Sequence, residues 1–174
     1  MTIRKILTEP DPFLRQKSKR VEIVDNDTRT LMDDMLNTMY AAPGIGLAAI
    51  QIGVPKRVVV IDLSRTDDKK NPLYFVNPEI ITTSNINAFY EEGCLSVPGQ
   101  FAEINRPDKC KVKFLDYNGR EQILEAEGLL ATCIQHEIDH LEGILFIDYL
   151  SKLKKTMIVK KLSKQKKSLE RIVV

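Results

Sequence analysis

The stretch 127–142 constrains the fold of this 174-residue chain more than any other segment. Its apolar residues recur at helical spacing, and Gly143 directly after it supplies a helix stop. The apolar face comprises Leu129, Leu130, Cys133, Ile134, Ile138 and Leu141. A helix with so broad an apolar face has to be covered by other elements. The sequence therefore predicts a buried helix around which the rest of the chain packs.

Short strands surround this helix in the sequence. Alternating or β-branched runs predict strands at 57–62, 73–76, 79–83, 109–114 and 122–125. A turn at Asn118-Gly119 joins the last two, and the polar stretch 64–72 predicts a loop. Many short strands around one buried helix indicate an α+β protein. We therefore expect small antiparallel or mixed sheets packed around a central helix.

Two further helices are expected. Asp27 or Thr28 should cap a helix that reaches Tyr40, and a C-terminal helix should run over 151–169 with a narrow apolar stripe that ends at Leu169. The length fits one domain, in which 1–150 form the body and 151–174 a basic C-terminal helix or tail. We expect a monomer.

The composition excludes several classes of protein. Hydrophobic residues make up 43% and charged residues 29% of the chain, which excludes disorder, collagen and coiled coil for the chain as a whole. No apolar stretch approaches the roughly 20 residues of a membrane span. Three cysteines are too few for a disulfide scaffold, and the N-terminal residues show no signal- or transit-peptide pattern. We therefore expect a cytoplasmic protein that contacts no membrane.

The net charge of +2 conceals two oppositely charged parts. Residues 151–174 contain nine Lys or Arg and a single acidic residue, Glu170, so this segment carries +8 and the first 150 residues carry −6. An acidic body with a basic tail indicates a polyanionic partner for the tail.

Both histidines of the chain lie in one pentapeptide, His136-Glu137-Ile138-Asp139-His140. On a helix the two imidazoles are one turn apart and about 40° apart around the axis, so both can reach one cation. Glu137 beside them can take the proton of a water bound to that cation. The alternative is a chance pair of core or surface histidines, but the apolar face of the helix favours a metal site.

The expected third metal ligand of this chain differs from the third ligand of the metzincins and of the thermolysin-like enzymes, two classes that share the HExxH motif. Metzincins place a histidine where this chain has Phe146. Thermolysin-like enzymes take a glutamate from a later helix, whereas only Glu142 and Glu170 follow His140 in this chain. One of these glutamates is too close to the histidines and the other lies in the basic tail, so cysteine is the better candidate.

The three cysteines differ in their surroundings. Cys110 lies on the inner face of an alternating strand, which indicates a core thiol. Cys133 lies three residues before His136 on a similar helix face. Cys94 lies among glycines and a proline, which let a backbone approach a metal closely. Spacing alone does not choose between Cys94 and Cys133.

Three segments, in this order along the chain, resemble the peptide deformylase family. Gly44-Ile45-Gly46-Leu47-Ala48-Ala49-Ile50-Gln51 matches the family's GxGLAAxQ, although alone it would indicate only a helix stop with a packing turn. Glu92-Gly93-Cys94-Leu95-Ser96 matches EGCLS, and Gln135-His136-Glu137-Ile138-Asp139-His140 matches QHExDH. The resemblance covers nearly the whole chain, with 1–150 as the catalytic domain.

The resemblance implies roles for individual residues. It implies Cys94, His136 and His140 as metal ligands, with water in the fourth position. It implies Glu137 as the general base and later the general acid. The side chain of Gln51 and the backbone N–H of Leu95 are implied as donors to the oxyanion.

The substrate implied by the resemblance is an N-formyl-methionyl peptide. The backbone of Gly44 and Gly46 resembles the edge that pairs with the peptide, and Gly93 of the second motif is also expected to bind the substrate. The methionine side chain needs an apolar slot, for which the expected lining residues are Ile45, Leu129, Thr132 and Cys133. Arg106 is expected to pair with Glu92 and to support the ligands from behind.

The implied activity is the removal of the N-formyl group from newly synthesised proteins, which releases formate. The expected metal is Fe(II) in the cell, and Zn, Ni or Co can occupy such a site after purification. The basic tail is expected to dock on ribosomal RNA. The alternative enzyme is a metallopeptidase of the HExxH type, and the non-catalytic alternative is a structural zinc site with an RNA-binding tail.

Overall fold

The structure is a computed structural model that describes residues 2–64 and 69–172, with side chains as far as residue 168. Part of the loop predicted over 64–72 therefore lies outside the described residues, as does the side chain of Leu169. The helices are α1 (Asn26–Ala41), α2 (Gly128–Leu141) and α3 (Lys152–Ile172). The strands are β1 (Gly46–Ala48), β2 (Val58–Ile61), β3 (Leu73–Thr83), β4 (Asn87–Cys94), β5 (Val97–Pro107), β6 (Lys109–Leu115) and β7 (Glu121–Glu127).

The described strands form two separate antiparallel sheets. Five of them pair in the order β1-β2-β3-β6-β7, and β4 and β5 pair with each other in a two-stranded ribbon. Together with the three helices, this arrangement confirms the α+β class. The turn at Asn118-Gly119 connects β6 and β7 as predicted, and Cys110 and Val112 of β6 are buried as the alternation indicated.

Other elements cover both faces of the large sheet at strand β2. Val59 and Ile61 belong to the core cluster that includes Ile134 and Leu141 of α2. Val58 and Val60 face the other way and belong to the cluster that contains the methionines of α1. Burial on both faces explains why β2 is a continuous β-branched run without polar alternation. The central helix was therefore predicted correctly, because α2 fills one of these two core layers.

Strand β3 corrects the prediction of two separate strands at 73–76 and 79–83. The structure has one strand with a register shift between Val76 and Glu79. Asn77 adopts a φ of 52° there, and its side chain exchanges two hydrogen bonds of 2.8 Å with the backbone of Val21. Pro78, which follows, has no N–H to donate to a ladder. The irregularity interrupts the alternation in the sequence without ending the strand.

Helix α1 begins earlier than predicted. Its N-cap is Asp25, whose side chain accepts a hydrogen bond of 2.8 Å from the backbone N–H of Thr28, so Asp27 and Thr28 lie inside the helix. This bond lowers the pKa of Asp25, as expected for a carboxylate that holds helix N–H groups. The prediction of Asp27 or Thr28 as the cap was therefore wrong, although both are residue types that cap helices.

The ribbon of β4 and β5 and the short strand β1 were not predicted. The ribbon packs against the C-terminal part of the chain, since Val97 and Ile104 share a cluster with Phe146 and Leu162. Leu162 lies on α3, so this helix is anchored to the ribbon by a buried side chain. Among the described residues, no helix is both long and apolar enough to cross a membrane.

Gly143 ends α2 with a φ of +76°, in the left-handed region that favours glycine. A Cβ at this position would also collide with the carbonyl group of Arg15. We predict that Gly143→Ala lowers the free energy of unfolding by about 3 kcal/mol or more, because conformational strain and backbone overlap add. Denaturant unfolding of metal-matched samples measures the loss.

Gly53→Ala is the matched control for this change. Gly53 has a φ of +79°, but nothing lies within 4 Å of its added Cβ. Only the conformational cost of about 1–2 kcal/mol applies there. Equal losses for the two variants would show that the contact with Arg15 contributes nothing.

Candidate metal centre and cleft

Helix α2 and the end of β4 bring three potential metal ligands together. His136 and His140 lie one turn apart on the same face of α2, with their ring centroids 5.0 Å apart. Cys94 ends β4, and its Sγ lies 3.2 Å from Nε2 of His140. One ligand atom from each of the three residues lies within 4.8 Å of the others. The structure thus groups Cys94, and not Cys133, with the two histidines.

The second ring nitrogen of His136 is held from behind. Its Nδ1 lies 2.8 Å from Oε2 of Glu92, and Arg106 holds the same carboxylate with two hydrogen bonds of 2.5 and 3.1 Å. The expected pair of Arg106 and Glu92 is therefore present. Burial would raise the pKa of Glu92, but the hydrogen bonds from His136 and Arg106 lower it below its ordinary value. The ionised carboxylate orients the imidazole so that Nε2 faces Cys94.

Glu137 is a buried carboxyl group beside this cluster. Only 4% of the residue is exposed, and burial raises its pKa to about 7. Its Oε2 has no hydrogen-bond partner among the described residues. A carboxyl group with such a pKa exchanges protons readily near neutral pH.

Gln51 is fixed in orientation by its own turn. Its Oε1 accepts a hydrogen bond of 2.8 Å from the backbone N–H of Ala48. The Nε2 atom then lies 3.1 Å from Oγ of Ser96 and 3.6 Å from Sγ of Cys94. The amide therefore presents a donor edge toward the ligand cluster. Ser96 was not predicted as a site residue, although it closes the motif that contains Cys94.

An open cavity of about 470 Å³ leads to this cluster. Every predicted site residue except His140 lines this cavity. These lining residues are Gly44, Ile45, Gly46, Gln51, Gly93, Cys94, Leu95, Leu129, Thr132, Cys133, His136 and Glu137. Ile45 and Leu129 are 44% and 43% exposed and form apolar walls. The cavity is thus an apolar cleft with a polar end.

Cys133 lies in the wall of the cleft as a neutral thiol. Burial, reinforced by the negative charge of Glu137, raises its pKa well above the ordinary value. Such a thiol is a poor metal ligand, because the thiolate is the ligating form. The grouping of Cys94 with the two histidines makes Cys94 the better candidate for the third ligand.

The donor set fits one divalent cation. Sulfur and imidazole nitrogen suit zinc and ferrous iron better than magnesium or calcium, which prefer oxygen. Three protein ligands leave a further position for water or substrate, as in catalytic rather than structural sites. Oε2 of Glu137 is buried without a hydrogen-bond partner among the described residues, so this end of the cleft has an unused polar atom.

A three-ligand metal set beside a buried carboxyl group in an open cleft is the arrangement of metal-dependent hydrolases. A sequence profile described as polypeptide deformylase matches residues 3–156. The chain belongs to this family, whose members are metal-dependent enzymes.

Individual relatives and solved structures agree with this assignment. The peptide deformylase of Pelagibacter ubique is 68% identical over 174 residues, which cover all of both chains. The crystal structure of the Ehrlichia chaffeensis enzyme has a TM-score of 0.90 at 43% identity and covers 95% of this chain and 97% of its own. A second structure of that enzyme, in complex with actinonin, has a TM-score of 0.89 at 45% identity, covering 95% and 98%. The expected family and the expected enzyme class are confirmed, and the metallopeptidase alternative is not favoured.

Gly46 lets β1 pass directly over the catalytic end of the cleft. A Cβ at this position would overlap Oε1 of Glu137 and would lie 3.0 Å from Sγ of Cys133. We predict that Gly46→Ala lowers kcat/KM for a formylated peptide by about 100-fold, because the carboxyl group must move by about 1 Å to clear the added methyl group. Steady-state formate release measures the effect.

Gly99→Ala is the control for Gly46→Ala, since Gly99 also lines the cleft and nothing lies within 4 Å of its added Cβ, so that only the conformational cost of its φ of +67° applies. An unchanged rate in Gly46→Ala would show that the carboxyl group of Glu137 does not need its present position.

Proposed function

We propose that this chain hydrolyses the formamide bond of N-formyl-methionyl peptides through the cluster of Cys94, His136 and His140 and the carboxyl group of Glu137. The observation that carries this proposal is the position of the buried Glu137 carboxyl beside the three convergent ligand atoms at the end of an open apolar cleft. The substrate is the N-terminal formyl-methionine of newly synthesised proteins, and the products are formate and a free N-terminus.

Cys94, His136 and His140 would hold the cation. When bound, a divalent cation lowers the pKa of water and polarises a carbonyl oxygen. Oε2 of Glu92 lies 2.8 Å from Nδ1 of His136. This contact keeps the imidazole in the orientation that leaves Nε2 available for the cation. The backbone N–H of Ser96 donates a hydrogen bond of 3.4 Å to Sγ of Cys94 and helps to hold this ligand in place.

Glu137 moves the proton. Its carboxylate accepts a proton from the attacking water as the new C–O bond forms at the formyl carbon. The same group then donates that proton to the amine nitrogen as the C–N bond breaks. A pKa of about 7, raised by burial, suits both directions of transfer near neutral pH.

Gln51 and Leu95 would stabilise the negative charge that develops on the formyl oxygen. The amide of Gln51 is already oriented by its bond to Ala48, so its Nε2 needs no reorganisation. The backbone N–H of Leu95 is the second donor and lies next to Cys94 in the chain.

Strand β1 provides the edge for the peptide backbone. It is the outermost strand of the five-stranded sheet and pairs with β2 alone. An extended peptide can add to such an edge through main-chain hydrogen bonds. We assign Gly44 and Gly46 to this edge, and Gly93 to the opposite wall of the cleft. The methionine slot is then formed by Ile45, Leu129, Thr132 and Cys133.

The decisive measurement is formate release from formyl-Met-Ala-Ser. We expect Glu137→Gln to retain the metal and the fold but to lower kcat by about 10²- to 10⁴-fold, because proton transfer is lost. Glu125→Gln, on the exposed face of β7, should leave kcat unchanged. Cleavage of the unformylated tripeptide would instead indicate a metallopeptidase, and full activity in Glu137→Gln would contradict the assigned role.

We further propose Fe(II) as the metal in the cell, with Zn, Ni or Co able to replace it during purification. The His₂Cys donor set accepts each of these ions. We predict that protein purified anaerobically and loaded with Fe(II) has a higher kcat than the Zn-loaded form. Metal analysis beside formate release decides the point, and a Zn form with the highest kcat would exclude iron.

We also propose that the protein works as a cytoplasmic monomer on nascent chains. Residues 1–150 would form the catalytic unit, and 151–174 a basic helix of the same domain. The packing of Leu162 against Val97 and Phe146 supports the assignment of α3 to the same domain, because it attaches the helix to the body.

The exposed lysines of α3 are proposed to contact ribosomal RNA. Truncating the helix would also remove Leu162 from its cluster, so charge substitutions test this contact more cleanly. Lys160, Lys161 and Lys164 are exposed or partly exposed, and no described residue forms an ion pair with them. We predict that replacing all three with Gln weakens ribosome co-sedimentation and lowers the slope of log K against log salt by about 2–3.

Replacing three lysines of β6 with Gln is the control. Lys109, Lys111 and Lys113 each pair with a glutamate of β7, so their charges are locally compensated. Equal loss of ribosome binding in both triple variants would indicate a general charge effect and would contradict a specific role for α3.

A further inference from the structure

The hydrogen-bond network behind His136 extends beyond Glu92 and Arg106 to the surface. Nη1 of Arg106 lies 2.8 Å from Oδ2 of Asp139, and the hydroxyl of Tyr149 donates to the same oxygen at 2.8 Å. The guanidinium carbon of Arg106 also lies 4.9 Å from the centre of the Tyr149 ring. Tyr149 therefore contacts Arg106 directly through its ring and indirectly through Asp139.

The inner members of this network have little freedom. Arg106 and Glu92 are each only 5% exposed, and the two hydrogen bonds between them fix the plane of the guanidinium relative to the plane of the carboxylate. Asp139 follows His136 by three residues on α2, so it lies near the same side of the helix. A change in the position of Arg106 is thus transmitted to Glu92 and from there to the imidazole of His136.

Tyr149 itself is held by the residue before it. Asp148 accepts a hydrogen bond of 2.9 Å from the backbone N–H of Leu145 and forms ion pairs with Arg15 at 2.5 Å and Lys155 at 2.6 Å. These partners lie in the N-terminal 3₁₀ helix Pro12–Arg15 and in α3. Although half of Tyr149 is exposed, its backbone is anchored from three directions.

We propose that Tyr149 is a positioning residue for His136 and acts through Asp139 and Arg106. The hydroxyl of Tyr149 fixes the carboxylate of Asp139, Asp139 fixes the free end of the Arg106 guanidinium, and Arg106 fixes Glu92 against Nδ1 of His136. The proposal rests on the assignment of His136 as a metal ligand. It also makes the junction between the catalytic body and α3 part of the support of the metal centre.

Tyr149→Phe tests this proposal, because it removes the hydroxyl and keeps the ring over Arg106. The readouts are the visible absorption spectrum of the Co(II)-loaded protein and the rate at which a chelator removes the metal. We expect a shifted spectrum and about 3- to 10-fold faster release, less than the roughly 10- to 100-fold losses for direct partners of ligands, because Tyr149 acts through Asp139 and Arg106. In turnover, kcat should fall while KM for the formylated peptide stays constant.

Tyr117→Phe is the matched control. The hydroxyl of Tyr117 also donates to a carboxylate of a helix, Asp33 of α1, at 3.1 Å, but far from the ligand cluster in the fold. This variant should keep the unsubstituted spectrum and release rate. Identical shifts in both variants would assign the effect to general loss of a hydrogen bond and would overturn the proposal.

The route through Asp139 is tested by a double substitution. We expect Tyr149→Phe to have no further effect on metal release once Asp139→Asn is present, because both changes interrupt the same path. Independent, multiplying effects would overturn the proposed route, as would wild-type release and spectrum in Tyr149→Phe alone. The spectrum and the rate of metal release are measured without turnover, so they test the role of Tyr149 independently of enzymatic activity. Absence of formate release by the unsubstituted protein would contradict the proposed function and not the role of Tyr149.

Discussion

The protein depends on the burial of three ionisable side chains on one helix that also forms part of its core. His136, Glu137 and His140 are at most 8% exposed, whereas Ile134 and Leu141 of the same helix pack against the large sheet. Buried polar groups destabilise a fold unless they are paired. Glu92, which Arg106 holds in place, pairs with His136, and the proposed cation would satisfy the ligand nitrogens that face Cys94. The core and the metal centre are therefore stabilised by the same helix.

The same burial gives chemically similar groups different properties. Glu92 and Glu137 are both nearly inaccessible, but only Glu92 has hydrogen bonds with His136 and Arg106, so its pKa is lowered while burial raises that of Glu137 to about 7. One carboxylate can then orient an imidazole while the other exchanges protons. Burial beside Glu137 also raises the pKa of the Cys133 thiol in the wall of the cleft.

Sequence patterns predicted the parts of this protein that are periodic. The apolar face of α2 and the alternation in β6 are regular, and both elements were predicted nearly to the residue. In β3, Asn77 and Pro78 interrupt the alternation, so one strand was predicted as two. The ribbon of β4 and β5 was missed because its exposed face carries Phe89 and Phe101 and because Gly93 lies against the Phe101 ring rather than in a turn. The contact of Tyr149 with Asp139 joins residues ten apart through side chains and leaves no periodic signal.

The metal centre lies where two structural units of the protein meet. Among the described strands, the ribbon of β4 and β5 forms no ladder with the five-stranded sheet. Side chains connect the units instead: Cys94 with His140, Glu92 with His136, Arg106 with Asp139, and Ser96 with Gln51. Each of these contacts joins the ribbon to α2 or to the turn after β1. The residues proposed to bind the cation and the oxyanion are thus also residues that align the two walls of the cleft. A displacement of either wall would therefore also displace the proposed ligands.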